Sequence, residues 1–155
     1  MSENNIDFTF VIPNTRWHKD GEGRYWNHIP YPEGILTAVL REIGFKVNHI
    51  DANVNDYTED ELYEEVSKKA GKVVGISALS VEYRDSVHKT FGIIKSARPY
   101  AKTVLGGVYP SISPEVAKKD ENVDFIVISE GEKRLLQLMN CLKNNQPFDV
   151  IDGLH

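Results

Sequence analysis

The sequence predicts a doubly wound α/β domain: a five-stranded parallel sheet of the flavodoxin-like, Rossmann-like class. Short β-rich runs alternate with helix-period segments along the whole chain, the pattern of a βαβ series. The first run, Asp7–Ile12, is almost continuously apolar, as a strand covered on both faces must be. At 155 residues the chain suits one core, and no repeat, linker or low-complexity tract divides it. Crossovers between parallel strands are almost always right-handed, and of the two common strand orders we favour 2-1-3-4-5. In that order ligands sit beyond the C-terminal strand ends, between the first and third strands.

Each element has a local cause. After Ile12 comes a stretch from Pro13 to Tyr31 that is too long for an ordinary strand–helix connection, so residues 13–31 are expected to form a functional loop at the ligand edge. Pro32 suits the first turn of a helix, with Ile35, Leu36, Val39, Leu40 and Ile43 as its apolar stripe and Gly44 as its stop. The second strand is Lys46–Ile50, ending at Asp51. Thr58-Glu59-Asp60-Glu61 is a capping-box pattern opening a helix that turns Leu62, Val66 and Tyr63 inward and ends at Gly71.

Val73–Ser77 is the third strand. A helix from about Glu82 to Ala97 follows, with Val87, Phe91 and Ile94 on one face and Pro99 beyond its end. Thr103–Leu105 leads into Gly106-Gly107, and Ser113-Pro114 reads as the cap and first position of a short helix. Asp124–Ile128 is the fifth strand. The last helix runs from about Glu132 to Leu142, with Leu135, Leu138, Met139 and Leu142 inward.

Composition narrows the function. A net charge of -5 argues against a nucleic-acid partner, which demands a basic face. No apolar run approaches the roughly 18 residues of a membrane span, and Met1–Asp7 is too polar for a signal peptide, so the cytoplasm is expected and no membrane partner. The single cysteine, Cys141, excludes a disulfide framework and a cysteine-only metal site.

The chemistry-bearing residues gather at the expected ligand edge. Ser77-Ala78-Leu79-Ser80 ends the third strand, Leu105-Gly106-Gly107-Val108-Tyr109-Pro110 the fourth, and Ser129-Glu130-Gly131-Glu132 the fifth. A serine at a strand end can donate to or accept from a ring nitrogen, and paired glycines let a bulky ligand lie on the backbone. Each motif alone is more often ordinary turn chemistry. Asp51 reads as a turn former, His49 as a packed or edge residue, and His88 as an exposed one. No G-x-G-x-x-G follows the first strand, which leaves out a dinucleotide site.

As a set, with twenty-six residues between Leu79 and Gly106, these strings resemble the S-x-L…G-G pattern of cobalamin-binding domains. Pro32-Glu33-Gly34-Ile35-Leu36, Leu40-Arg41-Glu42-Ile43-Gly44, Ile50-Asp51-Ala52-Asn53, Val74-Gly75-Ile76-Ser77, Leu105-Gly106-Gly107 and Asp124 through Glu132 resemble one branch, the domain preceding the catalytic domain of cobalamin-dependent radical S-adenosylmethionine enzymes. The resemblance covers about Phe8 to Leu154. It implies cobalamin held base-off, its tail beside Ser77 and Gly106-Gly107, and its corrin over backbone after Pro13 and at Val108-Tyr109 and Glu130-Gly131. Asn14, Leu79, Ser80 and Pro110 complete the implied cofactor-binding set.

The resemblance further implies a catalytic domain, in cis or in trans, holding a 4Fe-4S cluster and S-adenosylmethionine, with methyl transfer the commonest outcome. This chain lacks that domain's C-x-x-x-C-x-x-C motif, so it is non-catalytic alone, and residues 146–155 resemble the start of the connection to it. Arg16-Trp17-His18-Lys19-Asp20-Gly21 keeps the histidine and glycine of the family's D-x-H-x-x-G segment but not its acid. His18 is therefore a candidate lower cobalt ligand that lacks its orienting carboxylate. The rival readings are a free-standing cobalamin-binding or sensory module, and a flavodoxin-like domain for another nucleotide such as a flavin.

Overall fold

The computed structural model describes residues 5–17, 29–149 and 151–155. Its strands are β1 (Phe8–Ile12), β2 (Val47–Asp51), β3 (Val73–Ser77), β4 (Lys102–Gly106) and β5 (Phe125–Ile126). They pair in parallel in the order β2-β1-β3-β4-β5, as expected. The helices are α1 (Tyr31–Glu42), α2 (Glu59–Lys69), α3 (Arg84–Ala97), α4 (Val108–Ile112), α5 (Pro114–Ala117) and α6 (Gly131–Asn144). No helix among the described residues is long and apolar enough to cross a membrane.

Period-two alternation along the strands splits the core into two layers. Val11, Val74, Ile76, Leu105 and Ile126 face α2 and α3, packing on Leu62, Val66, Phe91 and Ile94. Phe8, Phe10, Val73, Val104, Phe125 and Val127 face the other way, toward Leu40 of α1 and Leu135, Leu138 and Met139 of α6. The Thr58–Glu61 capping box forms in full at the start of α2. Gly44 terminates α1's last turn at φ +92°, a conformation that costs glycine little.

Several expected details differ. The buried stripe of α1 is Glu33, Thr37 and Leu40, while Ile35 and Ile43 are exposed. Ile35 borders an open cavity instead of packed core, and Leu36 both lines that cavity and packs against the core. Tyr63 is exposed, although Leu62 and Val66 are buried. The helix expected from Glu82 starts as a 3-10 turn over Val81–Tyr83 before α3. The short helix expected at Ser113 is preceded by a second one, α4, directly after Gly107, and the Ser113 side chain caps neither.

β5 is shorter than expected, and residues 153–155 pair along its outer edge. Ile126 exchanges backbone hydrogen bonds with His155 at 2.7 and 2.9 Å, and Ile128 N–H donates to Gly153 at 2.9 Å. An antiparallel bridge joins Val127 to Leu154, and Arg134 Nε donates to the Asp152 carbonyl. Residues 151–155 thus cover a sheet edge that would otherwise expose unpaired backbone groups.

Candidate cofactor site

The C-terminal strand ends open onto a cavity of about 670 Å³ between the sheet, α1 and α6. That volume falls within the roughly 300–1,000 Å³ typical of small-molecule sites. Its back wall follows from the sheet register. Gly75 pairs with Phe10 on one side and Val104 on the other; two residues nearer the strand ends, Ser77 pairs with Gly106. Gly75, Ser77 and Gly106 point to the same face, so small residues run along β3 and β4 where neighbouring strands carry Phe10 and Val127.

The three glycines of this edge differ in cause. A Cβ at Gly75 would lie 2.4 Å from Phe8 Cζ, so the Phe8 ring occupies the space above it and forms part of the floor. A Cβ at Gly106 would meet nothing nearer than Val127 at 3.8 Å, so that position is empty space within the cavity. Gly107, at φ +96° and ψ -163°, is in a region essentially reserved for glycine, and its Cβ would lie 2.6 Å from the Ala78 carbonyl oxygen. Gly107 shapes the turn; Gly106 leaves the room.

Opposite the strip stand Leu36 of α1 and Leu135 of α6, with Pro32, Ile35, Leu79, Val108 and Ile112 around the mouth. Among the described residues, the polar side chains of the lining come from the strand ends, α4 and the first turns of α1 and α6: Tyr31, Ser77, Ser111, Ser129, Glu130 and Glu132. Ser111 ties two walls together, donating its hydroxyl to the Gly107 carbonyl and accepting from Ser129 N–H, both at 2.8 Å. Ser129 adopts φ +65°, a conformation a non-glycine residue keeps only where surrounding contacts enforce it. A narrow apolar slot with a bare backbone strip and a polar mouth suits an aromatic group carried on a polar chain, which is the form of cobalamin's nucleotide tail.

Of the residues expected in the cofactor set, Ser77, Leu79, Gly106, Gly107, Val108, Glu130 and Gly131 line the cavity. Asn14, Ser80, Tyr109 and Pro110 do not. Ser80 accepts from Glu82 N–H at the start of the 3-10 turn. Asn14 is buried and donates to Asp56 and the Tyr57 carbonyl, with Thr15 bound to Asn53, which fixes the start of the long loop to the segment after β2. His18 and most of that loop lie outside the described residues. Trp17 packs against the α2–α3 core, its carbonyl accepting from Ser86 Oγ at 2.7 Å. Asp51 forms a turn, accepting from Asn53 and Val54 N–H. His49 is an edge residue bonded to Thr37 Oγ1 at 2.8 Å, and partial burial, then Arg41, hold its pKa down.

His88 is the clearest departure from expectation. Its Nδ1 lies 2.5 Å from Asp120 Oδ2 and its Nε2 2.7 Å from the hydroxyl of the fully buried Tyr109. The three side chains pin α4, and with it the turn at Gly107, to α3. Burial raises the Tyr109 pKa. Burial would also raise that of Asp120, but hydrogen bonds from His88 and Asn122 outweigh it and hold the carboxyl below its ordinary value of 3.8. Asp120 therefore contributes stability above that ordinary value and loses it as pH falls through the lowered one. Tyr109→Phe is expected to cost about 1 kcal/mol, read as a lower midpoint in urea at unchanged slope.

Phe8, Phe10, Leu36 and Leu135 stand outside the cofactor set expected from the sequence, as does Gly75, although its string Val74-Gly75-Ile76-Ser77 is among those that resemble the family. A glycine inside a strand two residues before Ser77 was the available sign, since period two puts both on one face.

Comparison with known proteins agrees with this geometry. The sequence matches the B12 binding domain family over residues 28–139. It is 30% identical over 135 residues to an anaerobic magnesium-protoporphyrin IX monomethyl ester cyclase of Rubrivivax gelatinosus, covering 86% of this chain and 24% of that protein. It is 26% identical over 143 residues to a cytidylyl-2-hydroxyethylphosphonate methyltransferase of Streptomyces wedmorensis, covering 80% of this chain and 27% of that one. The chain thus spans about a quarter of the length of these relatives. In fold it superimposes with a TM-score of 0.79 and 20% identity on the radical S-adenosylmethionine methyltransferase TsrM of Kitasatospora setae, solved with cobalamin and a 4Fe-4S cluster bound, over 95% of this chain and 28% of TsrM. The chain belongs to the B12-binding domain family.

Proposed function

We propose that this domain binds cobalamin base-off, with the nucleotide tail in the slot against Gly75, Ser77 and Gly106 and the corrin over the mouth at Leu79, Val108 and Glu130-Gly131. The observation that carries this reading is the open position at Gly106, where a Cβ would meet nothing nearer than 3.8 Å although β4 is flanked by strands on both sides. Ser77 supplies a hydroxyl beside the base; Asn14, Ser80, Tyr109 and Pro110 act from behind the lining by fixing the walls. When bound, cobalamin supplies a cobalt centre able to carry and transfer a methyl group, and the domain supplies binding and orientation.

The proposal extends to the whole protein. We read the domain as the N-terminal cofactor domain of a cytoplasmic radical S-adenosylmethionine enzyme, most plainly a methyltransferase, with residues 151–155 leading toward its catalytic part. That part, in cis or in trans, would hold the 4Fe-4S cluster and S-adenosylmethionine, because this chain's single cysteine, Cys141, is buried in the α6 core. Neither nucleic acid nor membrane enters this reading, and His18 is kept as a candidate cobalt ligand.

Hydroxocobalamin added to purified protein should stay with it through a desalting column and show the absorption spectrum of a cofactor freed from its own base. Colourless protein would overturn the cofactor site. A C-x-x-x-C-x-x-C run in the same gene or its neighbour is the expected partner signature; its absence from both would overturn the enzyme assignment.

A further inference from the structure

The floor and the mouth of the slot differ in chemistry in a way that bears on which cobalamin-like cofactors it accepts. Cobamides share a corrin and a phosphate-linked ribose and differ in the base at the end of the tail. As the terminal group, that base must enter the blind end of any slot that takes the tail. The lining set back from the strand ends, and so the end the base would reach, is the row Phe10, Gly75 and Val104, with the Phe8 ring over Gly75 and Leu36 and Leu135 also lining the cavity. The Phe8 and Phe10 rings pack 4.6 Å apart at a tilt of 51°. Among the described residues, every hydroxyl and carboxylate of the lining belongs to the strand ends, to α4, or to the first turns of α1 and α6. The backbone of the floor row is committed to the parallel ladders on both sides of β3.

Resting on the tail-in-slot reading, we propose that the floor makes this domain selective for cobamides with a benzimidazole-class lower base over those with a purine. A 5,6-dimethylbenzimidazole presents a hydrocarbon edge to the floor and keeps its ring nitrogen toward Ser77. An adenine of similar size would bury an exocyclic amine and ring nitrogens against Phe8, Phe10 and Val104, where no described side chain offers a partner. Leaving one such donor unsatisfied weakens binding about tenfold or more. The free cofactors bias the comparison the other way, because an adenine leaves cobalt more readily than a benzimidazole does. Val104 and Leu135 are thus specificity-determining residues.

The test compares dissociation constants of the purified domain for three probes: hydroxocobalamin, its adeninyl analogue, and cobinamide, which lacks the nucleotide. The expected result is cobalamin at least about tenfold tighter than the adeninyl form, with cobinamide weaker than cobalamin. Val104→Thr and Leu135→Gln, each checked for folding by circular dichroism, should narrow the gap by offering the adenine a partner. Equal affinities for cobalamin and the adeninyl form, both above cobinamide, would overturn the selectivity while leaving the buried tail intact. Equal affinity for all three would overturn the buried tail itself. A gap unchanged by both folded variants would overturn the role of the floor.

Discussion

Gly106→Leu is expected to abolish retention of hydroxocobalamin while the protein keeps its circular dichroism spectrum and nearly its melting temperature. The reasoning is local. Gly106 ends β4 with ordinary backbone geometry, and a Cβ there meets only Val127, at van der Waals distance. The added side chain therefore costs the empty domain little, and it fills space that a planar tail would need. Stability changes away from core contacts are usually within about 0.5 kcal/mol, so loss of binding cannot be blamed on unfolding. A Gly106→Leu variant that retains the cofactor undiminished would place the tail elsewhere.

Gly107→Val should behave in the opposite way: it should damage the fold before any ligand is added. Its φ of +96° with ψ of -163° excludes side-chain-bearing residues almost completely, and the 2.6 Å approach to the Ala78 carbonyl involves backbone on both sides. That contact is held by two hydrogen bonds, Ala78 N–H to the Gly106 carbonyl at 2.8 Å and Tyr109 N–H to the Ala78 carbonyl at 3.0 Å. Backbone strain of about 1–3 kcal/mol and overpacking of about 1–3 kcal/mol give an expected loss of about 2–6 kcal/mol. For a chain of this size that lowers the melting temperature by roughly 2–4 °C per kcal/mol. A Gly107→Val variant of wild-type stability would show that the turn tolerates what its geometry forbids.

The contrast between these glycines marks what could be read from the sequence. Strand–helix alternation, the capping box at Thr58 and the glycines after the fourth strand are signals of short range, and they led to the observed sheet order and to the edge where the cavity opens. The sequence pair Gly106-Gly107 could not tell a vacancy from a strained turn, because that distinction depends on Ala78 and Val127 arriving from the segments just after β3 and β5. The His88–Asp120–Tyr109 connection was unreadable for the same reason: its members come from α3, α4 and the segment before β5, and a histidine among polar neighbours carries no sign of such partners. Ile35 misled in an instructive way. Its apolar character matched a helix packed on core, whereas the helix stands off the sheet there and Ile35 borders the cavity.

Electron paramagnetic resonance of cob(II)alamin bound to protein uniformly labelled with nitrogen-15 tests the buried tail most directly. If the base lies in the slot against Ser77 and Gly106, it cannot reach cobalt. The bound spectrum should then show no three-line splitting from a nitrogen-14 ligand, and any splitting from His18 would appear as two lines. A three-line pattern from the cofactor's own base would contradict the account, since cobalamin would then be bound with its tail outside the slot.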